Sequence, residues 1–221
     1  MKLSDYCQIR TLSIVFLGNF NPTIVQPFWL SSKGLIREHE AESAKVNLIH
    51  DELTRYDLGW VVIEISRSRF ELKTSQEPYF SPVKDLAVSI FTILSETPIS
   101  SFGINHIFHY AFPREDIYYE FGNRLTPLNN WKPFMKDPRL FKLEMFEESR
   151  TDGKDGSYRI SIQPSDQKLS TKFAASVNIN DHYSFKGTPN KAILHELVRS
   201  WDDSFSRSDD ITEQIWKIVI S

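Results

Sequence analysis

The sequence predicts an α+β protein with a mainly antiparallel sheet, arranged as two pattern-related halves packed with amphipathic helices. Three observations carry this expectation. Short runs of β-branched and aromatic residues recur between turn-forming clusters, several of them alternating apolar and polar positions. Two longer segments repeat apolar residues at helical spacing. The order strand, strand, strand, long helix occurs in both halves, 1–125 and 139–221, on either side of a crossover loop at 126–138. The repeat is one of pattern and not of residues, and the two halves are expected to form one compact unit.

The elements follow in order. "TLSIVFLG" (11–18) is rich in β-formers and ends on glycine, which predicts a strand. Asn21 and Pro22 have the chemistry of a helix cap and first helical position, and Pro27 must kink or restart the helix that follows. Residues 44–58 read as extended. "WVVIEI" and "FELKT" flank "SRSR" (66–69), and apolar parity switches across it, from Val61, Ile63 and Ile65 to Phe70 and Leu72. A turn there restores one apolar face, so a hairpin is predicted. Ser81 and Pro82 open a helix over 81–96 with a stripe of Val83, Leu86, Ala87, Ile90, Ile93 and Leu94. "SFGINHIFHYAF" (101–112) is a strand, and 114–122 a short helix stopped by Gly122.

In the second half, 140–149, 157–163 and 172–181 read as strands. The last alternates Phe173, Ala175, Val177 and Ile179 inward with Ala174, Ser176, Asn178 and Asn180 outward. A helix capped by Thr188 and started by Pro189 carries Ile193, Leu194, Leu197, Val198 and Trp201. "SRS" (206–208) is expected to break the chain before a final helix over 209–220.

Composition narrows the function. With 40% hydrophobic and 25% charged residues, the chain is an ordinary globular protein, and its net charge of −3 gives no reason for nucleic acid or anionic membrane as main partner. No apolar run reaches the length of a membrane span, and "LSIVFL" is too short for a secretory signal. Cys7 is the only cysteine, which excludes an intramolecular disulfide and suits a reducing, cytoplasmic setting. No cofactor is expected, because glycine-rich phosphate loops, nucleophile elbows and two-histidine zinc helices are all missing.

His106 and His109 differ in parity and cannot share a metal on a regular strand, so both read as structural. Asn178, Asn180 and His182 form a polar row that is either a ligand-binding surface or a solvated face. Five tryptophans exceed what a core of this size demands; Trp131 sits in the crossover loop and Trp216 on the far side of the last helix from Ile211, Ile215 and Ile218. These features favour a non-catalytic protein-interaction component, with another protein as partner and room for a homo-oligomer.

The order "FNP", "GW…EISRSRFELKT", "PYF", helix, "SFGINHIFHYAF", closing on "ITEQIWKIVIS", resembles a sporadically distributed bacterial family of uncharacterised function. The resemblance implies patchy occurrence, which suits accessory genes such as antiviral defence, immunity or antitoxin components. Separately, the order of elements over 22–110 resembles the core of the PD-(D/E)xK nucleases. That resemblance implies Asp57, Glu71 and Lys73 as a catalytic set holding Mg²⁺ or Mn²⁺, with Arg55, Arg67 and Arg69 on phosphates. It is the alternative reading, and it lacks the proline that usually precedes the aspartate, since Tyr56 stands there.

Overall fold

The computed structural model describes residues 3–220. Nine strands form one sheet: β1 (Cys7–Gly18), β2 (Lys45–Ile49), β3 (Leu53–Asp57), β4 (Val62–Ser66), β5 (Arg69–Thr74), β6 (Ile99–Ala111), β7 (Leu143–Glu147), β8 (Gly156–Pro164) and β9 (Ala174–Ser184). Their order is β2-β3-β4-β5-β1-β6-β9-β8-β7, and every pairing is antiparallel. The α+β class and antiparallel sheet read from the sequence are thus seen in the structure. Among the described residues six α-helices accompany them: α1 (Pro27–Ser32), α2 (Glu38–Glu42), α3 (Phe80–Ile93), α4 (Glu115–Leu125), α5 (Asn190–Arg199) and α6 (Trp201–Ile220).

The path of the chain runs twice through one plan. A long central strand (β1, then β6) leads through helices to a sheet edge (β2, then β7). An antiparallel meander then returns inward until it pairs with the strand that began it, and a long helix follows. The two long strands meet in the middle, with Leu12 opposite His106 and Ile14 opposite Ile104.

The buried helix residues all pack on one side of the sheet. That side carries Leu12, Ile14 and Phe16 of β1, Ile63 and Ile65 of β4, Phe70 and Leu72 of β5, and Phe102 and Ile104 of β6. These meet α3 through Val83, Ile90 and Phe91, and α5 through Ile193 and Leu197. A second cluster lies under α4 and α6, where Phe108, Tyr110, Val177 and Ile179 meet Phe121, Ile215 and Trp216. Between the clusters runs a polar seam of Arg10, His106, Asp181, Ser204, Arg207 and Ser208. His106 bonds Ser204 at 3.0 Å, Arg10 donates to Ser208 at 3.3 Å, and Arg207 donates to Asp181 at 2.9 Å.

Several local expectations change. Asn21 caps a turn and not a helix: its Oδ1 accepts the Thr23 N–H at 3.0 Å, and the helix starts only at Pro27, whose fixed φ suits a first position. The helix expected from Ser81 begins at Phe80, and Ser81 makes no capping bond. Gly122 does not stop its helix, which continues to Leu125. A Cβ at Gly122 would stand 3.2 Å from Leu140 Cβ, so the glycine serves close packing of the crossover segment and not a cap. Thr188 does not cap α5, and Val198 points to solvent. The expected break at 206–208 falls inside α6; the real one is at Ser200. The serines there are a packing stripe: Ser200, Ser204, Ser208 and Thr212, four apart, are buried against the sheet.

Candidate binding face

With the buried residues of all six α-helices on one side, the opposite side of the sheet has no α-helix over it among the described residues. Alternation decides what stands there. Strands β1, β6 and β9 turn Ser13, Val15 and Leu17, then Gly103, Asn105 and Ile107, then Asn178, Asn180 and His182 to this open face. Arg69 and Glu71 of β5 join them. Together they line a shallow depression of about 310 Å³ that crosses the four central strands. The polar row expected from the sequence therefore lies in the middle of the open face.

The row is extended by residues that parity arguments on one strand alone do not reach. Asn105 is directly opposite Asn180, and Ser13 directly opposite Asn105. Asn180 Nδ2 donates to Asn105 Oδ1, and Asn105 Nδ2 donates to Ser13 Oγ at 3.1 Å. This chain of bonds holds three side chains from three strands in fixed orientation. Asn178 Oδ1, by contrast, is buried without a partner. His182 stands opposite Gly103. Burial, then the nearby Arg150 and Arg159 charges, lower its pKa and favour a neutral ring. Arg69 and Glu71 close one side as an ion pair at 2.8 Å.

The proposed metal set lies on the same face but is not assembled into one site. Asp57 is on β3, two strands from Glu71 and Lys73 on β5. Asp57 Oδ1 accepts the Gly59 N–H at 2.6 Å and so holds the turn into β4. Glu71 faces Glu64 across the strands, and Arg69 reaches both, at 2.8 and 3.7 Å. A guanidinium thus occupies the place a cation would take. Among the described residues, no group of three His, Cys, Asp or Glu side chains is arranged to hold a metal. The strands of 22–110 are antiparallel throughout, and β6 pairs with β1 rather than with β3, β4 or β5.

The two tryptophans proposed for binding differ. Trp216 is only 8% exposed; it packs in the second core and meets the Tyr6 ring edge-on at 5.7 Å, so it is a core residue. Its helix is apolar on two adjacent positions, Ile215 and Trp216, while Ile218 faces out. Trp131 is exposed, and it does not stand alone. Phe134, Met135, Phe141, Met145 and Phe146 are exposed as well, Phe134 by 84% and Phe141 by 79%. The first two share its loop; Met145 and Phe146 belong to the edge strand β7.

One charged cluster escaped the sequence reading. Arg150, wholly buried, donates two bonds to Asp152, at 3.0 and 2.6 Å, and a third to Asp181, which is 2% exposed. Its guanidinium stacks 3.7 Å from the Tyr183 ring centre and 4.4 Å from that of Tyr158. Asp181 is also bonded by Arg207, so one carboxylate anchors two arginines from distant segments. The inward parity of Asp181 in the sequence was the one visible signal. The two histidines of β6 stand on opposite faces: His109 bonds Ser165 at 2.8 Å on the open side, and His106 bonds Ser204 in the seam.

No family model matches the chain, and no curated protein is similar to it at a significant level.

Proposed function

We propose that the chain is a non-catalytic protein-interaction component. The observation that carries this is the clustering of exposed apolar side chains. Six of the sixteen large apolar residues exposed among the described residues fall within 131–146. Single exposed apolar residues are ordinary, whereas six within one sixteen-residue stretch, a tryptophan and three phenylalanines among them, match the aromatic-rich composition of interfaces. The group borders β7, an edge strand with unpaired backbone on its outer side, a second feature that favours a protein partner. The family resemblance would place such a component among accessory, immunity or defence functions.

The test is affinity capture from the cells that express the chain, with wild type and a Trp131→Ser/Phe134→Ser variant in parallel. Both residues are exposed, so the variant is expected to keep its fold. A partner recovered in near-equal amount with wild type and lost with the variant would support the reading. Equal recovery with both proteins, or none with either, would remove its basis. Light scattering of both proteins separates a second copy of the chain from a foreign partner.

A further inference from the structure

We propose that the depression on the open face binds an extended, uncharged peptide segment of a partner protein. The inference rests on the protein-interaction reading and adds a second site, with its own chemistry, to the apolar segment 131–146. Three features select this ligand.

The first is charge. The only charged side chains lining the depression are Arg69 and Glu71, which neutralise each other at 2.8 Å. The rest of the lining consists of amides, a hydroxyl, an imidazole and aliphatic groups. The charges just outside it are Arg159, opposite Asn180 and paired with Glu144 at 3.4 Å, and Lys73, opposite Ser13, so a charged ligand gains little counter-charge for the hydration it loses within the depression.

The second is spacing. Asn178, Asn180 and His182 stand on alternate residues of β9, so their side chains repeat every ~7 Å, and the row is about 13 Å long. An extended peptide repeats its outward N–H and C=O groups at the same interval. An asparagine amide offers both a donor and an acceptor, the complement of one peptide unit. Asn178 Oδ1 lacks a hydrogen-bond partner, and a peptide N–H would supply one once the amide turns outward.

The third is relief. Gly103 sits at the centre, opposite Val15 and His182, and leaves the floor low. A Cβ there would meet Asn180 Nδ2 at 3.5 Å and Asn105 Oδ1 at 3.7 Å, ordinary contacts, so the gap is one the fold does not require. Val15, Leu17 and Ile107 provide apolar ground for the ligand's intervening side chains. The lining holds no Phe, Tyr or Trp ring, only the His182 imidazole, which argues against nucleobases, whose binding relies on stacking over several rings.

The experiment selects phage-displayed random dodecapeptides on the purified chain. Enriched peptides, synthesised with acetylated and amidated ends, are then titrated by calorimetry. The proteins are wild type, Gly103→Val, Asn178→Ala/His182→Ala, and Trp131→Ser/Phe134→Ser, with circular dichroism checking that each is folded. The expected peptides are poor in Asp, Glu, Lys and Arg. Their Kd should rise about tenfold or more in both face variants, the loss expected from one or two hydrogen bonds. It should stay within about twofold in the tryptophan variant and between roughly 0.05 and 0.5 M salt. Peptides that bind Gly103→Val normally and fail on the tryptophan variant would overturn this site while leaving the protein-interaction reading intact. Charge-rich peptides whose affinity collapses with salt would overturn it too. If no selected peptide binds wild type, the site falls, and the capture experiment alone then decides the wider reading.

Discussion

At the scale of single residues, burial decides what each polar group is for. Asp181 holds Arg150 and Arg207 inside the protein. Asp181→Ala takes from Arg207 its carboxylate partner and leaves Arg150 to Asp152, and it is expected to cost roughly 3–5 kcal/mol, as for breaking other buried pairs. Urea unfolding measures this, and a loss below about 1 kcal/mol would mean that water reaches the cluster. His106 shows the same logic in its titration. Burial, with Arg10 and Arg207 close by, pushes its pKa to about 3 against the opposing effect of Asp181. Burial likewise lowers His109 and His182. The unfolded chain takes up these protons below pH ~6.5 and the native chain does not, so stability falls as pH drops from about 6.5 towards 4.5. Below that window, Asp152 adds its own loss, because the Arg150 bonds outweigh burial and hold its pKa at about 2. His106→Gln is expected to flatten the slope of unfolding free energy against pH between about 6.5 and 4.5. An unchanged slope would show that the ring is not held neutral. Glu71 is already engaged by Arg69, so Mn²⁺ is expected to leave the melting temperature of wild type and Glu71→Ala unmoved. A rise confined to wild type would restore the metal reading.

At the scale of elements, α6 illustrates how a sequence signal misleads. Serines are poor helix formers in isolation and frequent at breaks, which is why 206–208 reads as an interruption. In the structure, Ser204 and Ser208 are the residues that let α6 lie close to β6 and β9, while Ser206 faces water. Ser208→Leu is therefore expected to destabilise by about 1–3 kcal/mol through overpacking. Ser206→Ala should change stability by less than about 0.5 kcal/mol. Equal effects at both positions in thermal unfolding would mean that the helix does not dock through this face. Strand β8 opens on a comparable constraint. Gly156 has φ 145°, and a Cβ there would stand 2.0 Å from the His182 carbonyl oxygen. Only glycine lets the turn after Asp155 enter the sheet at that point.

At the scale of the whole molecule, the central pair β1–β6 joins everything. Each long strand is flanked on its other side by its own meander, so neither can close its sheet alone. A fragment of residues 1–98 would leave the inner edge of β1 unpaired, and one of 99–221 would do the same to β6. Intact protein is accordingly expected to unfold in one cooperative transition. The two fragments, poorly folded apart, should associate when produced together and recover the native circular dichroism spectrum. Two separated transitions in calorimetry would show instead that the clusters on either side of the polar seam melt independently. No helix among the described residues is long and apolar enough to cross a membrane.

Local order was written plainly enough to read. The hairpin at "SRSR", the alternation of 172–181, the helix over 81–96 and the opposed parity of His106 and His109 all rest on periods of two and of about 3.6, and the chain carries those periods in itself. The outward row of Asn178, Asn180 and His182 was legible for the same reason. What the sequence could not show was which rows come to stand side by side. Asn105, Ser13 and Gly103 join that row only because β6 lies between β1 and β9. Asp57 and Glu71 stand apart only because β4 separates β3 from β5. Arg150 finds Asp181 across 31 residues of chain. Strand order is a matter of long-range pairing, in which many arrangements satisfy the same local pattern, and only the packing of the whole chain chooses among them. Exposure follows the same rule: Trp131 and Trp216 look alike in the sequence, but the neighbours that bury one and leave the other bare arrive from elsewhere in the fold.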